Sequence, residues 1–160
     1  MSPPLIRRAT VADLESLGRL GALLVQEHYE FDARRFFAAT PETSAGYAAF
    51  LRSQIEDPDA SLLVAEQDGR VVGYAYGTIE GTDFMALRGP AAVLHDLIVD
   101  ARYRDCGVGR ALLDATLAAF ASLGAPRVVL STAQRNEAAQ RFFERAGFRR
   151  TMIEMTRELE

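Results

Sequence analysis

The run Leu94-His95-Asp96-Leu97-Ile98-Val99-Asp100-Ala101-Arg102-Tyr103-Arg104-Asp105-Cys106-Gly107-Val108-Gly109-Arg110 carries most of the chemistry legible in this chain. An apolar strand ending in Val99 passes through a turn holding Gly107 and Gly109 into what reads as a helix N-terminus. Such a junction offers unpaired main-chain amides and the positive end of a helix dipole to an anion. Arg102, Arg104 and Arg110 add charge where phosphates would lie. A dinucleotide fingerprint starting at Gly107 would need glycine where Leu112 stands, and a Walker A loop would need lysine, which the chain lacks. An ordinary surface turn with capping glycines is the competing reading of this loop taken alone.

The elements around the turn follow from periodicity. Leu5 to Arg8 reads as a short strand, and Thr10 can cap a helix whose apolar positions Leu14, Leu17, Leu20, Leu24 and Val25 recur at helical spacing. The aromatic and charged stretch from Gln26 to Thr43 has no clear period, and a second helix is expected over about Ser44 to Ile55. Asp68-Gly69 separates the apolar runs Leu62 to Ala65 and Val71 to Tyr76, which suits a tight hairpin. A loop is expected from Gly81 to Pro90, a strand from Ala91 to Val99, a helix from Gly107 to Leu123 and a strand from Arg127 to Ser131. Asn136 can cap a helix over Glu137 to Arg145 that stops at Gly147, and a last strand is expected around Arg150 to Arg157. A hairpin plus a βαβ crossover implies a mixed sheet covered by helices, an α/β or α+β architecture.

Arg104-Asp105-Cys106-Gly107-Val108-Gly109 resembles the Arg/Gln-x-x-Gly-x-Gly/Ala signature of the GCN5-related N-acetyltransferase (GNAT) family, here preceded by the appropriate apolar strand. A second block, Asn136-Glu137-Ala138-Ala139 through Phe143-Glu144 to Gly147-Phe148, is similar to the family's Asn-x-x-Ala and Tyr-Glu-x-x-Gly-Phe region. The resemblance extends to the opening strand and helix and to the Asp68-Gly69 hairpin, and leaves residues 26 to 58 and 81 to 90 unmatched. It implies one GNAT-like domain over residues 1–160, with a mixed, mainly antiparallel sheet flanked by helices. It also implies acetyl-CoA as cosubstrate and direct attack by a primary amine, with no covalent acyl-enzyme.

Carried over residue by residue, the resemblance puts the backbones of Leu97 and Val99 on the pantetheine arm. It puts the turn from Arg104 to Arg110, with Asp105, Gly107, Val108 and Gly109, around the pyrophosphate, chiefly through main-chain amides. Asn136 would orient the pantetheine or cap its helix. His95 stands where some relatives carry a glutamate base, and an imidazole can do that work; hydrogen bonding across the sheet is its alternative role. Asp96 and Glu80 are competing carboxylates. Phe143 stands beside the thioester where many relatives have the tyrosine that protonates the departing thiolate, which phenylalanine cannot do. That departure motivates an alternative reading as a noncatalytic acyl-CoA-binding or sensor module. The group His28, Tyr29, Glu30, Phe31 and Asp32 reads either as a substrate lip or as helix-end packing; Glu30, Asp32, Glu80 and Asp83 are the candidate charges for a cationic acceptor. The acceptor, a small-molecule or peptide amine, is left open.

Composition narrows the partners. The 160 residues, 49% of them hydrophobic, suit one core, and a formal charge of −4 argues against a broad nucleic-acid footprint. All 18 basic residues are arginine, which excludes lysine catalysis and self-acetylation on lysine side chains. Cys106 is the only cysteine, so no internal disulfide forms, and no Cys/His cluster has structural-zinc spacing, so no metal is expected. No stretch nears the roughly 20 apolar residues of a membrane span, and Met1 to Arg8 lacks a signal-peptide apolar region. A soluble protein of the reducing cytoplasm is expected, with room for a homodimer.

Overall fold

The computed structural model describes residues 2–160. Its elements in chain order are β1 (Leu5–Arg8), α1 (Leu14–Phe31), α2 (Thr43–Gln54), β2 (Ala60–Gln67), β3 (Arg70–Glu80), β4 (Ala91–Val99), α3 (Val108–Ser122), β5 (Val128–Leu130) and α4 (Glu137–Arg145). The strands form one sheet in the order β1-β2-β3-β4-β5, antiparallel except for the parallel β4–β5 pair. The β2–β3 hairpin turns at Asp68 and Gly69, both at positive φ (51° and 73°), as the Asp-Gly pair predicts.

Two cores lie on opposite faces of the sheet. Leu17 and Leu20 of α1 and Leu51 of α2 pack with Leu62, Val64, Tyr74, Tyr76 and Ile98 on one face. Val108, Leu112, Leu113 and Phe120 of α3 pack with Ala65, Val72, Ala75, Leu94 and Val99 on the other, where Phe142, Phe143 and Phe148 join them half-buried. The helical period of α1 continues through the aromatic residues, so α1 runs to Phe31, beyond the last expected apolar position at Val25. There the His28 ring meets Phe31 and Phe36 edge-on, and the Asp32 amide closes the helix on the His28 carbonyl.

The sheet has a register break at the position that matters most. Tyr76 pairs with Asp96, but its neighbour Gly77 pairs with Leu94, leaving His95 without a cross-strand partner. A one-residue bulge reverses which side chains face which layer. Before it, Ala92 and Leu94 face α3; after it, Asp96 and Ile98 face α1 and α2.

The expected strand at Arg150 to Arg157 is not formed. Residues 149–160 are exposed and pair with nothing in the sheet. The segment is instead carried away by ion pairs from Arg35 to Glu154 and from Arg34 to Glu158.

Gly77 is required at the bulge, because a Cβ there would sit 2.4 Å from the Val93 carbonyl oxygen and 2.5 Å from the Phe120 ring. Gly77→Ala is expected to destabilise the fold by about 1–3 kcal/mol in urea denaturation. Gly46→Ala, in open space on α2, should instead be neutral or stabilising by up to roughly 1 kcal/mol.

Candidate functional site

β4 and β5 hydrogen-bond only from Ala92↔Val128 to Leu94↔Leu130. β5 then ends while β4 continues to Val99, and the two diverge into a fork. The Asp100 amide donates to the Val72 carbonyl at 2.8 Å, so even-numbered peptide groups in this part of β4 face β3. By alternation the peptide groups of Leu97 and Val99 face the fork, where no strand of the described residues pairs with them. Only the Val99 carbonyl is taken, by Arg104 Nε at 2.8 Å.

The fork opens onto the N-terminus of α3. After a 3-10 turn over Ala101–Tyr103, Asp105 and Gly107 take positive φ (59° and 85°) and Gly107 becomes the N-cap. Glycine has no side chain to cap with, and the first helical bond runs from the Ala111 amide to the Gly107 carbonyl. The amides of Val108, Gly109 and Arg110 are left pointing out of a helix that runs to Ser122, the arrangement that binds anions. The turn's arginines are paired rather than free. Arg104 also reaches Glu27 on α1, bracing the turn from behind; Arg110 pairs with Asp114 at 2.9 Å. Arg102 pairs with Asp100 at 3.0 Å and holds that carboxyl well below the ordinary carboxylate range.

On the α2 side of β4 lies a cavity of about 190 Å³ lined by Tyr47, Phe50, Tyr76, His95 and Asp96. Consecutive residues of a regular strand point to opposite faces; the bulge is what lets His95 and Asp96 line one cavity. Asp96 is buried and accepts the Tyr74 hydroxyl at 2.8 Å. Burial raises its carboxyl above the ordinary value of 3.8, opposed by the Tyr74 and Tyr47 hydroxyls. The His95 ring stacks on Tyr76, with centroids 5.4 Å apart, and its Nε2 lies 3.0 Å from the Thr78 hydroxyl. Thr78 in turn is 3.3 Å from Glu80, which Arg88 holds at 3.0 Å.

Other residues singled out in the sequence serve local structure. The Asn136 side chain accepts the Ala139 amide at 3.1 Å and caps α4. Phe143 packs edge-on against Phe142 and Phe148, 5.2 and 5.7 Å between centroids. The Nδ1 of His28 donates to the Leu24 carbonyl, Glu30 accepts from Gln26, Asp32 accepts the Arg34 amide, and Asp83 accepts the amides of Met85 and Ala86. Cys106 is exposed in the turn. Tyr47, Phe50 and Tyr76 line the cavity, and Thr78 meets His95, although nothing in the sequence singled them out for it. The alternation of Tyr74, Tyr76 and Thr78 on one face of β3 was the available signal; the approach of α2 had none.

The description "Acetyltransferase (GNAT) family" matches residues 22–148. An uncharacterized N-acetyltransferase of Mycobacterium tuberculosis is 37% identical over 109 residues, which are 67% of this chain and 62% of that protein, so the chain spans less than two thirds of that relative's length. A mycothiol acetyltransferase of Thermobispora bispora is 32% identical over 128 residues, 76% of this chain and 42% of that one. Among solved structures, a mutant of a Bacillus halodurans protein superposes with a TM-score of 0.82 at 20% identity, over 98% of this chain and 99% of that chain, a likeness of fold.

The buried Asp96 makes stability depend on pH in a direction opposite to a salt-bridged carboxylate. Because its folded-state pKa is raised above the ordinary 3.8, its contribution is most favourable at low pH and is lost as pH rises through the raised value. Melting curves between about pH 4 and pH 8 should show Asp96→Asn gaining on wild type as pH rises, by at most about 1.4 kcal/mol per pH unit. Parallel stability curves would remove Asp96 as a titrating group.

Proposed function

This chain belongs to the GNAT family of acetyltransferases, and from that premise we propose that it moves the acetyl group of acetyl-CoA to a primary amine on a small molecule or peptide. The observation that carries the proposal is the β4–β5 fork, which leaves the Leu97 amide and carbonyl and the Val99 amide unpaired and leads to the uncapped amides of α3. Leu97 and Val99 would hold the pantetheine arm as a missing strand would be held. The amides of Val108, Gly109 and Arg110 would hold the pyrophosphate, with Asp105 and Gly107 setting the turn and Arg104 bracing it against Glu27. Gly109 lies over Val99 and the Phe142 ring, so it stands where the two parts of the site meet.

Acetyl-CoA supplies an electrophilic acyl carbon and a thiolate leaving group. The neutral amine approaches from the aromatic cavity, its nitrogen bonds to the acyl carbon, the carbon–sulfur bond breaks and the amine gives up a proton. His95 is the residue proposed to take that proton. If the Thr78 hydroxyl donates to Glu80, Thr78 is left to accept from Nε2–H of His95, and Nδ1 is then the basic nitrogen. Asp96 and the rings of Tyr76 and Phe50 suit a cationic acceptor before it loses its proton. Asn136 is assigned to the α4 cap. Phe143 offers no proton to sulfur, which also favours the second reading, a binding or sensor module that holds acyl-CoA without turnover.

Thiol release from acetyl-CoA across a panel of amines tests the proposal. CoA binding without release for any amine supports the sensor reading, and absence of CoA binding overturns both. In the active enzyme, His95→Ala is expected to lower turnover about 100-fold with little change in acetyl-CoA affinity. That loss should shrink at high pH, where more of the amine is already neutral. Gly107→Ala and Gly109→Ala should both weaken CoA binding in calorimetry more than Cys106→Ala does. Only the first should also lower the melting temperature, because Gly107 has a φ of 85° whereas a methyl on Gly109 would meet its neighbours at an ordinary 3.8 Å.

A further inference from the structure

More negative charge converges on the aromatic cavity than a single amine requires. Asp96, only 9% exposed, forms part of its wall, with Oδ2 taken by the Tyr74 hydroxyl. Glu80 stands at the rim, where Arg88 holds Oε2 and leaves Oε1 3.3 Å from the Thr78 hydroxyl and 3.7 Å from Nε2 of His95. Asp57 adds a third carboxylate: the Tyr76 hydroxyl is raised above its ordinary value by burial first, and then by the charges of Asp96, Asp57 and Glu80. Arg88 offsets one of these charges, so the surroundings of the cavity stay negative even with Glu80 paired.

The walls select against most kinds of amine. Phe50 meets Tyr76 edge-on with 5.6 Å between centroids, and Tyr76 stacks on His95, so rings form most of the lining. The hydroxyls of Tyr74 and Tyr76 are already engaged, the first on Asp96 and the second on Gln54 at 2.7 Å. An amino sugar would bury its own hydroxyls against these rings with few free partners, which is costly. An amino acid would bring a carboxylate towards Asp96 and Glu80. Aromatic faces and carboxylates together favour positive charge on an apolar stem.

We propose that the acceptor is a short alkyl diamine with an amine at each end, a reading that rests on acetyl transfer to an amine at this site. One nitrogen lies by Asp96 and His95, and the other stays an ammonium at the rim, held by Glu80 and Asp57. Asp96 pairs with Tyr76, and the Glu80 carboxyl folds back on Thr78, two residues further along β3. Two strand residues span roughly 7 Å, a length that an extended chain of about four or five carbons bridges. The inner nitrogen, once neutral, bonds to the acyl carbon as the carbon–sulfur bond breaks; its proton goes to His95 and CoA leaves as the thiolate. The outer ammonium does not react, so its binding serves to orient the inner nitrogen. The monoacetylated product has lost the charge that faced Asp96, which favours its release.

Two measurements on the full chain test the diamine. Thiol release with acetyl-CoA gives kcat/KM for diaminobutane, butylamine, glucosamine, glycine and a lysine-containing peptide. Calorimetry on the complex with CoA gives the affinities of diaminobutane and butylamine without any turnover. Diaminobutane is expected to exceed butylamine by about 10-fold in both. That ratio should fall towards one in Glu80→Gln and in Asp57→Asn, and a ratio is not moved by a general loss of activity or folding in either variant. Asp96→Asn should weaken the binding of both amines. Thiol release absent with every amine, alongside a tenfold preference in calorimetry, would overturn acetyl transfer and leave the cavity's selectivity for diamines standing. Equal values for diaminobutane and butylamine, or a higher kcat/KM for glucosamine, glycine or the lysine peptide, overturn the diamine itself.

Discussion

A strand inside a sheet spends its peptide groups on two neighbours, and β4 does so only as far as Leu94. Beyond that point its β3 side stays paired and the other side is unmet, since β5 has ended at Leu130. Unpaired main-chain groups inside a fold are costly unless something else bonds them. Arg104 meets one, the Val99 carbonyl, and in doing so ties the turn before α3 to both β4 and α1. The groups of Leu97 and Val99 left over, in line with the uncapped amides of α3, make a continuous track of hydrogen-bonding groups. The cavity on the opposite side depends on the same strand, because the bulge that turns His95 and Asp96 together sits where the parallel pairing stops.

Charge is organised to hold this frame rigid. Arg7 binds Asp13 through two bonds of 2.8 and 2.9 Å and Glu66 through a third, joining β1, the start of α1 and β2. Arg19 and Arg102 converge on Asp100 at the foot of the turn. An arginine presents several donors in a fixed plane, so one side chain can tie two elements where a lysine would contact a single point. In a chain without lysine, the frame is built from such forks.

What was legible in the sequence was what local physics decides. The α3 turn, α4 with its Asn136 cap and the Asp68-Gly69 hairpin are set by neighbours within a few residues, and the expected elements stand close to where the structure has them. The bulge at His95 was not legible, because it is a property of the pairing with Gly77 and not of β4 alone. Tyr47 and Phe50 reach the cavity only because α1 and α2 pack together over the sheet, a tertiary fact. The arginines of the turn were expected to face a ligand, yet their ion pairs with Glu27, Asp100 and Asp114 involve carboxylates whose proximity no spacing argument supplies, apart from the helical pair Arg110 and Asp114. The C-terminal segment shows the converse error: a last strand was expected around Arg150 to Arg157, and none forms there.

The placement of the two cores on opposite faces separates what shapes the cavity from what supports the track. The track along β4 and α3 is supported by one core, while the aromatic cavity is walled by α2, which belongs to the other. Substitutions at Phe50, which is 50% exposed, therefore alter the shape of the cavity without disturbing the packing that sets the turn. A change confined to a few positions on one helix reshapes the cavity and leaves the main-chain track along β4 and α3 in place. The sheet acts as a partition between the wall of the cavity and the support of the track.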